Sequence, residues 1–130
     1  MDNWETVYSY SRKQAIEDGV LIDITEAAKE SGFVLPVAVT ASVYHGLIVP
    51  SNRAETEYGQ SVEGRLHDML FLLQYAIRIT SGKSQLLFDV AFLMENESGE
   101  IGDREVKLKA VIDGGDDGSP VVTIMGEEED

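Results

Sequence analysis

The sequence predicts a small single α+β domain in which a central amphipathic helix packs on a mainly antiparallel sheet. Apolar residues between Leu66 and Ile77 recur at steps of three and four, the period of a helix with one buried face. Between Val106 and Ile112 every second residue is apolar, as in a strand that covers a core. Short connections rich in turn formers separate three strand-like runs near the C terminus, which favours an antiparallel meander.

The composition suits one folded domain and narrows the classes of function. The chain has 130 residues, 43% of them hydrophobic, which is enough to form one core. Its 24 acidic residues against 10 Lys and Arg give a net charge of −14, so no direct nucleic-acid binding is expected and a basic protein partner is favoured. Cysteine is absent, which excludes disulfides and thiolate chemistry. No apolar leader or membrane-spanning run occurs, so we expect a cytoplasmic protein without membrane contact.

The N-terminal part begins with a helix followed by a short strand. Ser11 is a good N-cap for a helix from Arg12 to Asp18, and Gly19 can take the left-handed conformation that ends it. The run from Val20 to Ile24 is almost entirely apolar and β-branched, which predicts a strand.

A second short helix is predicted immediately after this strand. Thr25 is expected to cap a turn from Glu26 to Glu30 that ends at Gly32. Asp23 interrupts the apolar strand just before it. Because a carboxylate in such a position needs a donor, we expect Asp23 to bond a cap amide or to pair with Arg12.

The segment from Pro36 to Val49 is compatible with a helix from about Val37 or with a buried strand. We favour the helix, because it would align three apolar residues at i, i+4 and i+8, namely Val39, Val43 and Leu47. The following run from Pro50 to Gln60 is polar, contains Pro and Gly and has neither period, which predicts a surface loop.

The central helix is predicted from Ser61 to Thr80, with Gly82 as its C-terminal stop. Its apolar stripe is wider than one contact with a sheet requires. The surplus residues are Phe71, Leu72 and Tyr75. We expect them to be covered either by the segment from Pro36 to Val49 or by a homodimer contact.

Three strands are predicted after the central helix, at Gln85 to Met94, Glu105 to Ile112 and Val121 to Met125. In the second of them, Lys107, Lys109 and Val111 should face away from the core. The domain is expected to span residues 1–126, and Glu127 to Asp130 should form a solvated acidic tail.

No motif in the sequence indicates catalysis, and no catalytic residue, metal or cofactor is expected. Phosphate-binding glycine loops, nucleophile elbows and zinc-protease motifs are all missing. His67 and Asp68 are adjacent on a helix, about 100° apart, so they do not form an acid–base pair. The glycine-rich run from Asp113 to Gly118 lacks the ligand spacing of a calcium loop and is interpreted as a hairpin turn.

The charge distribution is more informative than any motif. The 18 residues from Asp113 to Asp130 contain seven acids and no base. Such a field attracts basic surfaces and accelerates encounter in a salt-dependent way. The predicted partner-binding acids are Asp113, Asp116, Asp117, Glu127, Glu128 and Glu129.

The sequence also resembles a family of small uncharacterised proteins encoded on bacterial plasmids, integrative elements and prophages, known only as plasmid-related proteins. The matching stretches are Tyr10 to Arg12 with Ala15, Asp18 to Asp23, Ala28, Gly32 and Phe33, Pro36 to Ala38 with Thr40, and Pro120 to Met125. Tyr44 and His45 stand where that family is expected to have a helix containing Trp. The resemblance implies an accessory role on a mobile genetic element and no established activity.

Three functional hypotheses follow. The first is a mobile-element accessory protein that engages or inhibits a host defence or nucleic-acid-processing protein through its acidic surface, with DNA mimicry as the sharpest version. The second is a small enzyme or ligand-binding domain whose pocket contains Arg12, Asp23, Tyr44 and His45. The third is a homodimeric structural module.

Overall fold

The computed structural model describes residues 10–80 and 82–129, and it confirms the predicted α+β domain with a mainly antiparallel sheet. Within these residues the strands are β1 (Leu21–Asp23), β2 (Val37–Thr40), β3 (Gln85–Glu95), β4 (Ile101–Gly114) and β5 (Pro120–Gly126). The helices are α1 (Arg12–Glu17), α2 (Thr25–Glu30), α3 (Ala41–Val43), α4 (Asn52–Tyr58) and α5 (Val62–Ile79), and a π-helical turn (Tyr44–Ile48) follows α3. The sheet order is β1-β2-β5-β4-β3, and the β2–β5 pair is parallel while the others are antiparallel.

The first helix begins and ends as the sequence predicts, whereas the second helix is not capped by the predicted residue. The Ser11 hydroxyl accepts a hydrogen bond from the Gln14 amide, and Gly19 has a φ of 79°. At α2 the expected cap by Thr25 is wrong. The Asp23 carboxylate instead accepts hydrogen bonds from the Thr25 amide at 3.0 Å and from its hydroxyl at 2.5 Å. Asp23 is exposed, and its carboxylate reaches forward two residues to bond the first amide of α2 in an Asx-type turn, while Ile24 at the N-cap position offers no side-chain acceptor.

The helix predicted from Val37 is wrong, because these residues form the strand β2. Its three apolar residues Val37, Ala38 and Val39 are fully buried, between β1 and β5. The helical part starts only at Ala41, after the Thr40 hydroxyl accepts a hydrogen bond from the Val43 amide. A short uncharged apolar run is compatible with the period of a helix or of a strand. Here the strand forms because Val37 pairs in register with Val122, which is 85 positions away along the chain.

The loop predicted from Pro50 to Gln60 is also wrong in its centre, where α4 forms. The Ser51 hydroxyl accepts a hydrogen bond from the Ala54 amide, and Gly59 ends the helix with a φ of 68°. Ala54 is the one buried residue of α4. A helix that sends one small side chain into the core has no apolar period, so only its caps mark it in the sequence.

The central helix α5 is confirmed, with Ser61 as N-cap. Its buried face contains Leu66, Met69, Leu70, Leu73 and Ala76, and it packs on β3. β3 alternates, with Leu86, Phe88, Val90 and Phe92 buried. The alternation predicted for β4 is confirmed, since Leu108 and Ala110 are buried and Val106 and Ile112 are partly buried against the core.

The surplus apolar edge of α5 is not covered by the segment from Pro36 to Val49, contrary to one of the two expectations. Phe71 and Tyr75 are 62% and 60% exposed, whereas Leu72 is partly buried against the core. β2 pairs with β1 and β5 in the sheet, so it does not cover the outer edge of α5. The homodimer contact stays a prediction. In the part of the chain described, no helix has the length and apolar character needed to cross a bilayer.

Candidate functional site

A cleft of about 830 Å³ lies between α1 and the face of the sheet opposite the core. Successive side chains of a strand point to opposite faces. Val122 and Ile124 of β5 belong to the core, whereas Val121, Thr123 and Met125 line the cleft. The floor is therefore a half-apolar strand surface, and polar residues of α1, α3 and the β4–β5 turn form the walls.

Arg12 fastens α1 to this face. Its Nη1 donates a hydrogen bond to the Thr123 hydroxyl at 2.6 Å, and its Nη2 donates to the Val122 carbonyl at 2.7 Å. Burial lowers the pKa of the Arg12 guanidinium, and the nearby carboxylates, Asp113 first among them, oppose that effect. The side chain is thus a positively charged anchor whose donors are directed at β5.

The three acids of the predicted glycine-rich turn have different roles. The Asp116 carboxylate accepts hydrogen bonds from the amides of Lys13 at 3.0 Å and Arg12 at 2.8 Å, and these bonds lower its pKa. It therefore caps α1 from across the fold. The Asp117 carboxylate accepts the Ser119 amide and closes the turn itself. Asp113 is exposed on the rim of the cleft, and within the described residues its carboxylate accepts no hydrogen bond.

Glu129 lies at the other end of the cleft. The expectation that it belongs to a solvated tail is wrong. Its Oε1 accepts hydrogen bonds from the Gly126 amide at 2.7 Å and from the hydroxyls of Ser42 and Thr40 at 2.9 and 3.0 Å. A Cβ atom at position 126 would lie 3.1 Å from the same oxygen, so glycine permits this approach. Glu127 and Glu128 are exposed as predicted, and Asp130 lies outside the described residues.

We expect the Glu129 carboxylate to make stability depend on pH. Burial raises the pKa of Glu129, but the hydrogen bonds from Gly126, Ser42 and Thr40 and the nearby Lys109 together bring it below the ordinary 4.5. A lowered folded-state pKa gives a contribution that is complete above pH 4.5 and is lost as the pH falls through the lowered value. Chemical denaturation between pH 7 and pH 3 should show a smaller acid-induced loss in Glu129→Gln than in wild type.

The matched control is Glu127→Gln, which removes an exposed carboxylate two residues away. It should keep the wild-type pH dependence, because no described group bonds the Glu127 carboxylate. If both variants follow the same curve, the contacts of Glu129 do not contribute to stability.

The four residues of the predicted pocket fall into two separate pairs. Arg12 and Asp23 line a pocket of about 330 Å³ beside α1. Tyr44 and His45 lie on the π-helical turn, with their ring centres 5.3 Å apart in an edge-to-face arrangement. His45 lines a different cleft. The structure thus places Arg12 and Asp23 in the lining of one pocket, and Tyr44 and His45 together at another place in the fold.

His67 and Asp68, the adjacent pair on α5, do not form an acid–base pair in the structure. His67 and Asp68 are exposed, and the His67 Nδ1 lies 3.7 Å from the Asp68 Oδ1, beyond hydrogen-bond distance. Among the described residues, no three His, Asp or Glu side chains are placed to hold a metal ion.

Comparison with known proteins gives one finding. A family model described as a family of unknown function (DUF6573) matches residues 1–130. No curated protein and no solved structure gives a significant match.

Proposed function

We propose that this chain, which belongs to the DUF6573 family, is a non-catalytic binding protein that engages a basic protein partner through the acidic surface around its large cleft. The observation that carries the proposal is Asp113. It is exposed on the rim of the cleft, while the nearby Arg12 directs its donors into β5.

The distribution of internal contacts makes the outer surface more acidic than the composition alone suggests. Four of the ten cations donate hydrogen bonds to backbone carbonyls: Arg12 to Val122, Arg53 to Gly99, Arg65 to Leu47 and Leu93, and Lys109 to Glu129. Lys107 is paired with Asp89 at 2.9 Å. Among the described residues, the exposed carboxylates of Asp113, Glu127 and Glu128 accept no hydrogen bond and form no ion pair, which supports electrostatic steering of a basic surface.

The cleft has the shape and chemistry to receive a basic side chain. Val121, Met125 and Leu21 provide an apolar floor, and Asp113 stands at the rim. The long aliphatic part of Lys or Arg covers apolar surface while its charged end stays near solvent and a carboxylate. A basic segment of a partner protein would therefore use both the floor and the rim.

The biological setting that we propose is a mobile genetic element. The resemblance to plasmid-related proteins supports it, as does the strong acidity, which suits inhibition of a nucleic-acid-processing or defence protein of the host. Such a partner has a basic surface for its own substrate. DNA mimicry is the strictest form of this proposal, because it requires acids at phosphate spacing on a folded face.

We expect neutralisation of the turn acids to slow association with the partner. The partner is captured from a bacterial lysate at low salt and identified by mass spectrometry, and its association rate is then measured across a salt series. The variant with Asp113, Asp116 and Asp117 changed to Asn should associate about tenfold more slowly at low salt. Neutralising Glu127 and Glu128 should have a smaller effect, because exposed charges at the chain end steer without docking.

Two further variants separate surface charge from folding. Asp113→Asn alone leaves the Asp116 cap of α1 intact and should retain part of the effect. The control changes Glu30, Glu63 and Glu97 to Gln, which removes the same charge from exposed positions on other elements. Equal rates for wild type and the turn variant at low salt would discard the acidic surface and favour a ligand site near Tyr44 and His45.

A homodimer is the second candidate, favoured by the uncovered edge of α5. Phe71, Tyr75 and Ile79 lie at i, i+4 and i+8 and are 62%, 60% and 65% exposed. A stripe of this kind suits the face of a helix pair.

A further inference from the structure

Arg65 is the one buried charged residue in the part of the chain described, with 4% of its surface exposed. Its Nη1 donates to the Leu47 carbonyl at 2.8 Å and approaches the Met94 sulfur at 3.9 Å. Its Nη2 donates to the Leu93 carbonyl, and its Nε donates to the Gln60 side-chain oxygen at 3.2 Å. A guanidinium has five N–H donors, so one hydrogen of Nη2 has no acceptor among the described residues.

The charge of Arg65 has no counter-ion among these residues. Its hydrogen-bond acceptors are neutral, and the guanidinium lies 5.8 Å from the centre of the Phe92 ring, a weak cation–π contact. Burial is the sole cause of its pKa shift, which is downward, and arginine still stays protonated. A buried charge without an opposite charge is costly, and a bound anion would relieve that cost.

Arg65 also lines a cleft of about 320 Å³ between the π-helical turn and the end of β3. Two other hydrogen-bond donors, Ser51 and His45, line the same cleft. Ser51 accepts the Ala54 amide through its oxygen, which leaves the hydroxyl proton free to donate. The exposed imidazole of His45 has an N–H donor in either protonation state.

We propose that this second cleft binds a small oxyanion, a carboxylate or phosphate group, with Arg65 as the charged anchor and His45 and Ser51 as rim donors. The site is distinct from the acidic cleft and does not depend on the function proposed above. Its volume is near the lower limit of ligand pockets, so it suits a small molecule or a single group rather than a macromolecular segment. Charge-assisted hydrogen bonds from a guanidinium are among the strongest available to an oxyanion.

Glu95 opposes an anion from the same rim and provides the sharpest test. Its Oε2 lies 3.6 Å from Arg53 Nη1, and its side chain is 30% exposed. Removal of this carboxylate takes away repulsion and also removes one of the two carboxylates that pair with Arg53, the other being that of Glu57. If Arg65 has only a structural role, this substitution should produce no anion binding. If the cleft is an anion site, its affinity for the anion should rise.

The experiment is an NMR titration of the full chain, isotope-labelled, with inorganic phosphate or with acetate at constant ionic strength. Saturable shifts of the His45 ring signals and of the Arg65 Nε–H signal are expected. Glu95→Gln should lower the dissociation constant by about fivefold, the effect of one nearby unit charge. The control Glu100→Gln removes a charge from the same hairpin but outside this cleft and should leave affinity unchanged.

His45→Ala and Ser51→Ala should weaken the response while keeping the buried contacts of Arg65. A response to phosphate alone, to acetate alone or to both supports the site and identifies the type of oxyanion. The proposal is overturned if neither ion shifts the two signals in wild type and Glu95→Gln, or if Glu100→Gln tightens binding as much as Glu95→Gln.

Discussion

Leu73→Ala is expected to lower the free energy of unfolding by about 2–5 kcal/mol. Leu73 is fully buried in the middle of α5, among the residues that pack on β3. Truncation removes the transfer free energy of the side chain and leaves a cavity that rigid neighbours on the sheet cannot fill completely. Urea denaturation measures the loss, which should move the midpoint while the slope with denaturant stays the same.

Phe71→Ala is the control on the same helix, since Phe71 is 62% exposed. A surface substitution of this kind changes stability by about 0.5 kcal/mol or less. Similar losses for both variants would mean that α5 is rotated relative to the face assigned here, or that Phe71 is buried in a dimer.

The parts of the fold that the sequence predicts well are those set by local physics. Ser61 and the apolar period determine α5, and the alternation from Val106 to Ile112 determines β4. Each of these features is contained in a short window, so the chain need not be folded for the pattern to be visible. The pattern of β2 is not visible in a short window, because these residues form a strand only by pairing with β1 and β5.

The site was harder to predict, because its contacts join distant parts of the chain. Asp116 and Arg12 are 104 positions apart, and Glu129 and Thr40 are 89 positions apart. The sequence marks these acids as charged and nothing more. Charge alone therefore predicts that all of them bind a partner, whereas Asp116 and Glu129 stabilise the fold and, among the described residues, only the carboxylate of Asp113 around the cleft accepts no hydrogen bond.

Arg65 could have been found from its spacing. It precedes Met69 and Leu73 by four and eight residues, so it lies in phase with the buried face of α5. A charged residue at such a position needs polar partners in the interior. Those partners, the carbonyls of Leu47 and Leu93, belong to segments whose placement required the complete fold.

Arg65→Met is expected to lower the free energy of unfolding by about 2–4 kcal/mol, because it leaves three partly buried acceptors without their donor. Methionine fills most of the same space but cannot donate to the Leu47 and Leu93 carbonyls or to the Gln60 side chain. The removal of an uncompensated buried charge offsets part of this loss, which keeps the expected value below the sum of three broken bonds. Chemical denaturation measures the change.

The loss should be concentrated at the π-helical turn, since Arg65 ties that turn to the end of β3 through the two carbonyls. Hydrogen exchange of the Val49 amide, which bonds the Tyr44 carbonyl, should therefore accelerate more than exchange at the β3–β4 pair. Arg65→Lys keeps the charge but has a single ammonium in place of a planar fork, so its stability should lie between those of wild type and Arg65→Met. Wild-type stability in Arg65→Met, with unchanged exchange at Val49, would show that the two carbonyls find other donors and that the guanidinium does not hold the turn in place.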